Sequence, residues 1–329
     1  MYLCNQTILM PIINSDFKAT FPFSNKHFST MYRTLFTNPV TNFNRKRIET
    51  EDGDFLDLDF STVNSKQLVV LIHGLEGSSN SKYIVGSSNF LNHNGFDIVV
   101  INLRGCSGES NRYFKAYHTG ETGDLAFVLK HIENNYSYNN ISLLGFSLGG
   151  NIVLKYAGEQ KENISPLIQK IIAVSPPCDL KGSSRVLSKK SNLIYMKRFL
   201  KTLVHKAILK GERFPNQKLN TEKLLKAKNF ADFDNLFTAP SFGFKDAEDY
   251  WKKASCKPLL KDIKVKSFLL TAKNDPFLSE SCFPSKIAEK HQYLHLEITK
   301  TGGHIGFIKS FKKRDKYWFE KRLLNYLNE

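Results

Sequence analysis

Three residues carry side chains that could act together on an acyl group. Ser147 stands in Gly145-Phe146-Ser147-Leu148-Gly149-Gly150, a GxSxG set between a β-rich run and a helical one. A strand-to-helix turn presents such a hydroxyl at the top of a sheet, and the flanking glycines keep Cβ atoms out of a crowded corner. A serine hydroxyl is a weak nucleophile at neutral pH and needs a base. His304 is the candidate: it lies in Thr301-Gly302-Gly303-His304-Ile305-Gly306-Phe307, a glycine-rich loop after the last strand-like run, from which an imidazole can reach a neighbouring strand end. Asp275, in Ala272-Lys273-Asn274-Asp275-Pro276-Phe277, closes the run before that one, where a carboxylate would hold the imidazole in the required tautomer. It could equally cap a helix beginning at Pro276, and Asp179 and Asp262 are the other acids near strand ends. For the oxyanion of a tetrahedral intermediate, the candidate donors are the backbone N–H of Leu148, directly after the nucleophile, and that of Leu75, after His73-Gly74 at the end of the first strong strand. His73 itself reads as a structural residue that positions this loop. Cys106 lacks the strand-turn-helix setting of a nucleophile.

These groups need a scaffold that gathers strand ends. Short Val/Ile/Leu-rich runs recur at 67–74, 96–105, 140–147, 170–177, 266–275 and 294–303, separated by helix-like stretches at 80–93, 120–134, 148–159, 245–254, 279–290 and 307–327. Runs without polar alternation predict strands buried on both faces, hence a largely parallel sheet between helical layers, an α/β fold. Residues 46–60 alternate around an Asp-Gly turn and predict an antiparallel hairpin leading into the sheet. The first 45 residues show no clear period. About 88 residues separate the run at 170–177 from the one at 266–275, far more than a connection needs, so an insertion is expected there. The expected organisation is an extension over 1–45, a first core segment over 46–180, an inserted basic helical lid over 181–244, and a second core segment over 245–329.

The charge is uneven. Of a net +16 over 329 residues, +12 falls within 181–228, where 14 Lys/Arg face two acids, Glu212 and Glu222. Within that block Leu193, Met196, Leu200, Leu203, Val204 and Ala207 recur at helical spacing, with Lys197, Arg198, Lys201, Lys206 and Lys210 around them. This predicts a basic amphipathic helix, suited either to covering the protein itself or to peripheral contact with an anionic membrane. No signature of nucleic-acid binding accompanies it. Five scattered cysteines, Cys4, Cys106, Cys178, Cys256 and Cys282, with no CxxC and no Cys/His cluster, argue against a disulfide framework and a structural metal. No run reaches the length of a membrane span. The N-terminus has no basic segment or cleavage site of a secretory signal, Met10 is an alternative start, and a cytoplasmic protein is expected.

The sequence resembles the α/β-hydrolase superfamily and, more narrowly, its YheT-like branch of hydrolases and esterases. The likeness rests on HGLEGSSNSKY at 73–83, NLRGCSGESNR at 102–112, YHTGETGDL at 117–125, GFSLGGN at 145–151, FDNLFTAPSFGFKDAEDYW at 233–251, NDPFL at 274–278 and GGHIGF at 302–307. Carried onto these positions, the family's triad falls on Ser147, Asp275 and His304, the residues reached from chemistry. Arg104, Cys106, Glu109, Arg112 and His118 belong to branch motifs and are expected to fix a loop or shape the substrate pocket; Asp124 is expected to anchor a helix. The expected activity is hydrolysis of small-molecule or lipid carboxylic esters through an acyl-enzyme, without metal or organic cofactor. Acyl transfer to an alcohol on the same triad is the alternative, and a non-catalytic membrane-surface or partner-binding module on the same scaffold is the reading from another class.

Overall fold

A computed structural model describes residues 11–312 and 318–329. Cys4, Met10 and the middle of the 307–327 stretch lie outside the described residues. The apolar runs form β4 (Gln67–Ile72), β5 (Asp97–Asn102), β6 (Asn140–Phe146), β7 (Ile168–Val174), β8 (Lys266–Ala272) and β9 (Leu294–Thr299). With β1 (Ile12–Ile13) and the hairpin β2 (Asn44–Glu49) and β3 (Phe55–Ser61), they build a sheet in the order β1-β9-β8-β7-β6-β4-β5-β3-β2. All pairings are parallel except β2–β3 and β3–β5.

Burial on both sheet faces is visible residue by residue along β4. Leu68, Val70 and Ile72 join one apolar cluster, while Val69 and Leu71 join another on the opposite face. The first cluster is closed by α3 (Gly123–Asn135) and α4 (Leu148–Gln160), the second by α2 (Lys82–His93) and α12 (Trp318–Asn328). The expected strands overran at their carboxyl ends: the ladder stops at Asn102, Phe146, Val174, Ala272 and Thr299. The motif residues follow these points, where the backbone leaves the sheet and turns toward the site.

Two expected helices differ. Instead of a helix over 279–290 there are a 3-10 turn at Glu280–Cys282 and the short α11 (Ser285–Ala288), because Pro284 between them lacks an N–H and clashes with the preceding turn. The C-terminal helix spans Trp318–Asn328, while Ile305 and Phe307 take positive φ and keep the chain irregular after His304. The N-terminal segment, read as aperiodic, contains α1 (Lys26–Phe36), whose N-cap Asn25 accepts hydrogen bonds from the His27 and Phe28 N–H groups.

Between β7 and β8 the chain forms α5 (Leu180–Leu187), α6 (Leu193–Arg213), α7 (Thr221–Leu225), α8 (Phe230–Phe233), a π-turn at Asp234–Thr238, α9 (Ala239–Phe242) and α10 (Ala247–Ala254). Met196, Leu200, Ala207, Leu224, Phe233 and Phe237 pack into a core of their own that also takes Phe277 from the loop after β8. On α6 three expectations are corrected. Leu193, assigned to the apolar face, is 41% exposed. Lys206 and Lys210, assigned to the solvated flank, turn inward. Lys210 continues the buried line of Met196, Leu200 and Ala207 at helical spacing, and its Nζ donates to Asn111 O (2.8 Å), Asn111 Oδ1 (2.7 Å) and Tyr113 O (2.5 Å).

Candidate active site

Ser147 occupies the turn between β6 and α4 with φ +52° and ψ −116°, a conformation that a non-glycine residue holds only when its surroundings impose it. The Ser147 N–H donates to Val174 O at 2.8 Å, tying the turn to the end of β7. A Cβ at Gly145 would collide with the backbone of Gly149 and Gly150, and one at Gly149 with the carbonyls of Ile72 and His73. Both glycines of the motif are therefore required by close backbone approach. Among the described residues the Ser147 hydroxyl has no hydrogen-bond partner, and Ser147 lines a cavity of about 640 Å³.

His304 lines the same cavity, and its Nδ1 lies 2.8 Å from Asp275 Oδ2, with the carboxylate fully buried. The other carboxylate oxygen, Oδ1, accepts the Phe277 N–H at 2.8 Å, and the Phe277 ring lies 4.2 Å from the imidazole, centroid to centroid. Asp275 thus meets the histidine and does not cap a helix. Asp179 is occupied elsewhere: it caps α5 through Gly182 N–H (3.0 Å) and accepts from Ser281.

The histidine loop is held by a partner that the sequence reading missed, α1. Thr30 Oγ1 accepts the His304 N–H at 2.9 Å, Ser29 Oγ donates to Gly302 O at 2.8 Å, and Arg33 Nε donates to Gly306 O at 3.1 Å. A Cβ at Gly303 would lie 2.7 Å from both Lys26 O and Thr30 Oγ1, so the glycines of GGHIG are what allow the helix to approach. The available signal was Phe28, Met31, Tyr32, Leu35 and Phe36 at helical spacing behind the Asn25 cap.

The second donor loop is organised by His73. Its Nε2 accepts the Leu103 N–H (3.2 Å), which leaves the proton on Nδ1 to donate to Gly74 O at 2.8 Å. In a trans peptide the C=O and the N–H point opposite ways, so fixing the Gly74 carbonyl aims the Leu75 N–H in the other direction. Neither the Leu75 nor the Leu148 N–H has an acceptor among the described residues, and both residues line the cavity.

Burial pushes His73 down to about 4 and also His118, where the neighbouring Lys155 adds to the effect, down to about 4. Both are neutral in the fold and take up protons more readily when unfolded. The stability they contribute is complete above pH 6.5, is lost as pH falls toward 4, and is constant below. Each accounts for about 3 kcal/mol across that window. Urea midpoints measured from pH 7 to 4 are expected to fall steeply, with a shallower slope in His118→Gln; equal slopes would contradict this assignment.

Most branch-motif residues brace the loop. Arg104 forms a two-bond pair with Asp124 (2.8 and 2.7 Å) and reaches Asp52 and Asp54, fastening α3 to the β2–β3 turn. Glu109 pairs with Arg47, and Arg112 with Glu49. Burial pushes the Cys106 thiol up to about 12, which keeps it protonated and a poor nucleophile. The cavity wall beyond Ser147 is largely apolar and comes from the insertion, including Phe199, Leu203, Phe233 and Phe237.

The family model described as alpha/beta hydrolase fold matches residues 67–310. The chain is 32% identical over 312 residues to YheT of Escherichia coli (strain K12), covering 93% of this chain and 91% of that protein. It is 26% identical over 302 residues to Phospholipase ABHD3 of Homo sapiens, covering 89% of this chain and 73% of that one. Among solved structures, the esterase Pf2001 of Pyrococcus furiosus shares the fold with a TM-score of 0.58 at 18% identity, covering 87% of this chain and 91% of that one.

Proposed function

Since the chain belongs to the α/β hydrolase fold family, in its YheT-like branch, we propose that it is a serine hydrolase of carboxylic esters working through Ser147, His304 and Asp275. One observation carries the reading: a buried carboxylate holds His304 Nδ1 at 2.8 Å on the wall of the cavity that Ser147 also lines. With Nδ1–H given to Asp275, Nε2 is the basic nitrogen and takes the Ser147 proton as Oγ attacks the acyl carbon. The Leu75 and Leu148 N–H groups receive the oxyanion. His304 then returns the proton to the leaving alcohol, and water, activated by the same imidazole, releases the acid. In the substrate complex the Ser147 hydroxyl donates to His304 Nε2, the hydrogen bond along which the proton moves.

The apolar wall contributed by Phe199, Leu203, Phe233 and Phe237 suits an acyl chain, and one relative is named a phospholipase, so lipid esters are the substrate class. On this reading the helices over 181–244 act as a lid. The outer side of α6 exposes Lys197, Arg198 and Lys201 beside Ile194, a composition suited to an anionic lipid surface. Co-sedimentation with liposomes containing anionic lipid should be strong at low salt and weak at high salt; indifference to both removes this part of the proposal. No helix among the described residues is long and apolar enough to cross a membrane. The reaction itself is tested by a fluorophosphonate probe together with p-nitrophenyl ester turnover. Wild type should be labelled and active and Ser147→Ala neither, whereas equal labelling of the two removes Ser147 from the role.

A further inference from the structure

The residue directly after the proposed donor Leu75 is Glu76, and its environment is unusual. Its φ is +55°, a left-handed conformation that disfavours a side chain. The Glu76 side chain is only 6% exposed. It holds its own turn closed through Tyr117, whose hydroxyl accepts the Glu76 backbone N–H at 3.0 Å and donates to Glu76 Oε1 at 2.9 Å. That leaves Oε2, which lies 2.9 Å from Lys206 Nζ on α6. Among the described residues Lys206 is the one cation within ion-pair distance of Glu76. The Lys206 side chain is 40% exposed and the Glu76 side chain 6%, so when the pair breaks the lysine is rehydrated far more readily than the carboxylate.

From this asymmetry we infer that Lys206 is a positioning residue for the oxyanion site: the inserted helix α6, through the Lys206–Glu76 ion pair, holds the strained turn that aims the Leu75 N–H. The inference rests on the reading of Leu75 as an oxyanion donor and adds a coupling that the triad does not contain. When α6 is seated, the Glu76 carboxylate is neutralised and stays folded against Tyr117. When α6 lifts, the Glu76 carboxylate loses this counter-charge, the turn relaxes toward solvent and the donor is misaligned. The lid thereby governs transition-state stabilisation as well as access, and ester turnover is restrained until the helix is in place. Tyr117 sits at the centre of this arrangement, with burial pushing its phenol well above the usual range, so it remains a neutral donor to the carboxylate throughout.

Lys206→Met keeps the helical stem and removes the charge. It is expected to lower kcat about 10-fold to 100-fold on a short p-nitrophenyl ester, with KM changed less than about twofold, as loss of part of an oxyanion contact would. Glu76→Gln keeps a side chain able to bond Tyr117 and removes the need for a counter-charge. The double variant Lys206→Met/Glu76→Gln should therefore recover to within about threefold of wild type. A role limited to packing α6 predicts the opposite, a raised KM and no rescue. An unchanged kcat in Lys206→Met, or a double variant no better than the single, overturns the inference. Hydrogen exchange of the Glu76 and Gly77 amides in the substrate-free protein separates this claim from the proposed activity. Exchange should rise at least about tenfold in Lys206→Met and return in the double variant, and unaltered exchange overturns the coupling even if the wild type hydrolyses no ester.

Discussion

His304→Ala is expected to lower kcat for ester hydrolysis by about 10⁵-fold to 10⁶-fold, and adding Ser147→Ala to that variant is expected to lower it no further. On the proposed mechanism the two residues act on one proton: without the imidazole the hydroxyl is a poor nucleophile, and without the hydroxyl the imidazole has nothing to deprotonate. Their losses cannot add. Residual rate above the uncatalysed reaction should persist in all three variants, because the Leu75 and Leu148 N–H groups are main-chain donors that neither substitution removes. Single-turnover rates compared across the two single variants and the double variant test this. A double variant slower than either single by a further factor of 100 would mean that the two side chains work in separate steps.

Asp275→Asn should cost about 10⁴-fold in kcat while leaving KM and stability close to wild type. The geometry dictates how the amide settles. Oδ1 accepts the Phe277 N–H at 2.8 Å, which pins the amide oxygen of an asparagine at that position. The amide nitrogen then takes the place of Oδ2 and points one N–H at His304 Nδ1, 2.8 Å away. A donor facing Nδ1 forces the proton to Nε2, the nitrogen that must be free to accept from Ser147. The packing is unchanged and the tautomer is wrong. Asp275→Ala, which imposes no tautomer, should be less damaged than Asp275→Asn once stability is accounted for; equal losses would show that the carboxylate acts through the charge that both variants lack and not through the tautomer.

The parts of the fold that were legible from the sequence are those in which one local property decides the outcome. Buried parallel strands need apolar runs, and QLVVLI of β4 and DIVVIN of β5 are such runs. The turn at Ser147 needs glycines on both sides, and Gly145 and Gly149 are there because strand and helix backbones nearly touch. The parts that stayed hidden depend on distant pairings. Nothing in HGLEGSS marks Glu76 as the partner of a lysine 130 positions later, because the contact exists only once α6 folds back over the strand ends. By residue type Lys206 and Lys210 read as solvated charges, and only the folded chain supplies the acceptors that draw them in, Glu76 for Lys206 and Asn111 with Tyr113 for Lys210.

Among the described residues the first and last strands are neighbours, β1 against β9, and α1 grips the loop bearing His304. During synthesis the turn bearing Ser147 is made well before the loop bearing His304, and that loop then packs against α1, which is made before both. On the proposed mechanism Ser147 is therefore inert until segments far apart along the polypeptide have paired and brought His304 to the same cavity.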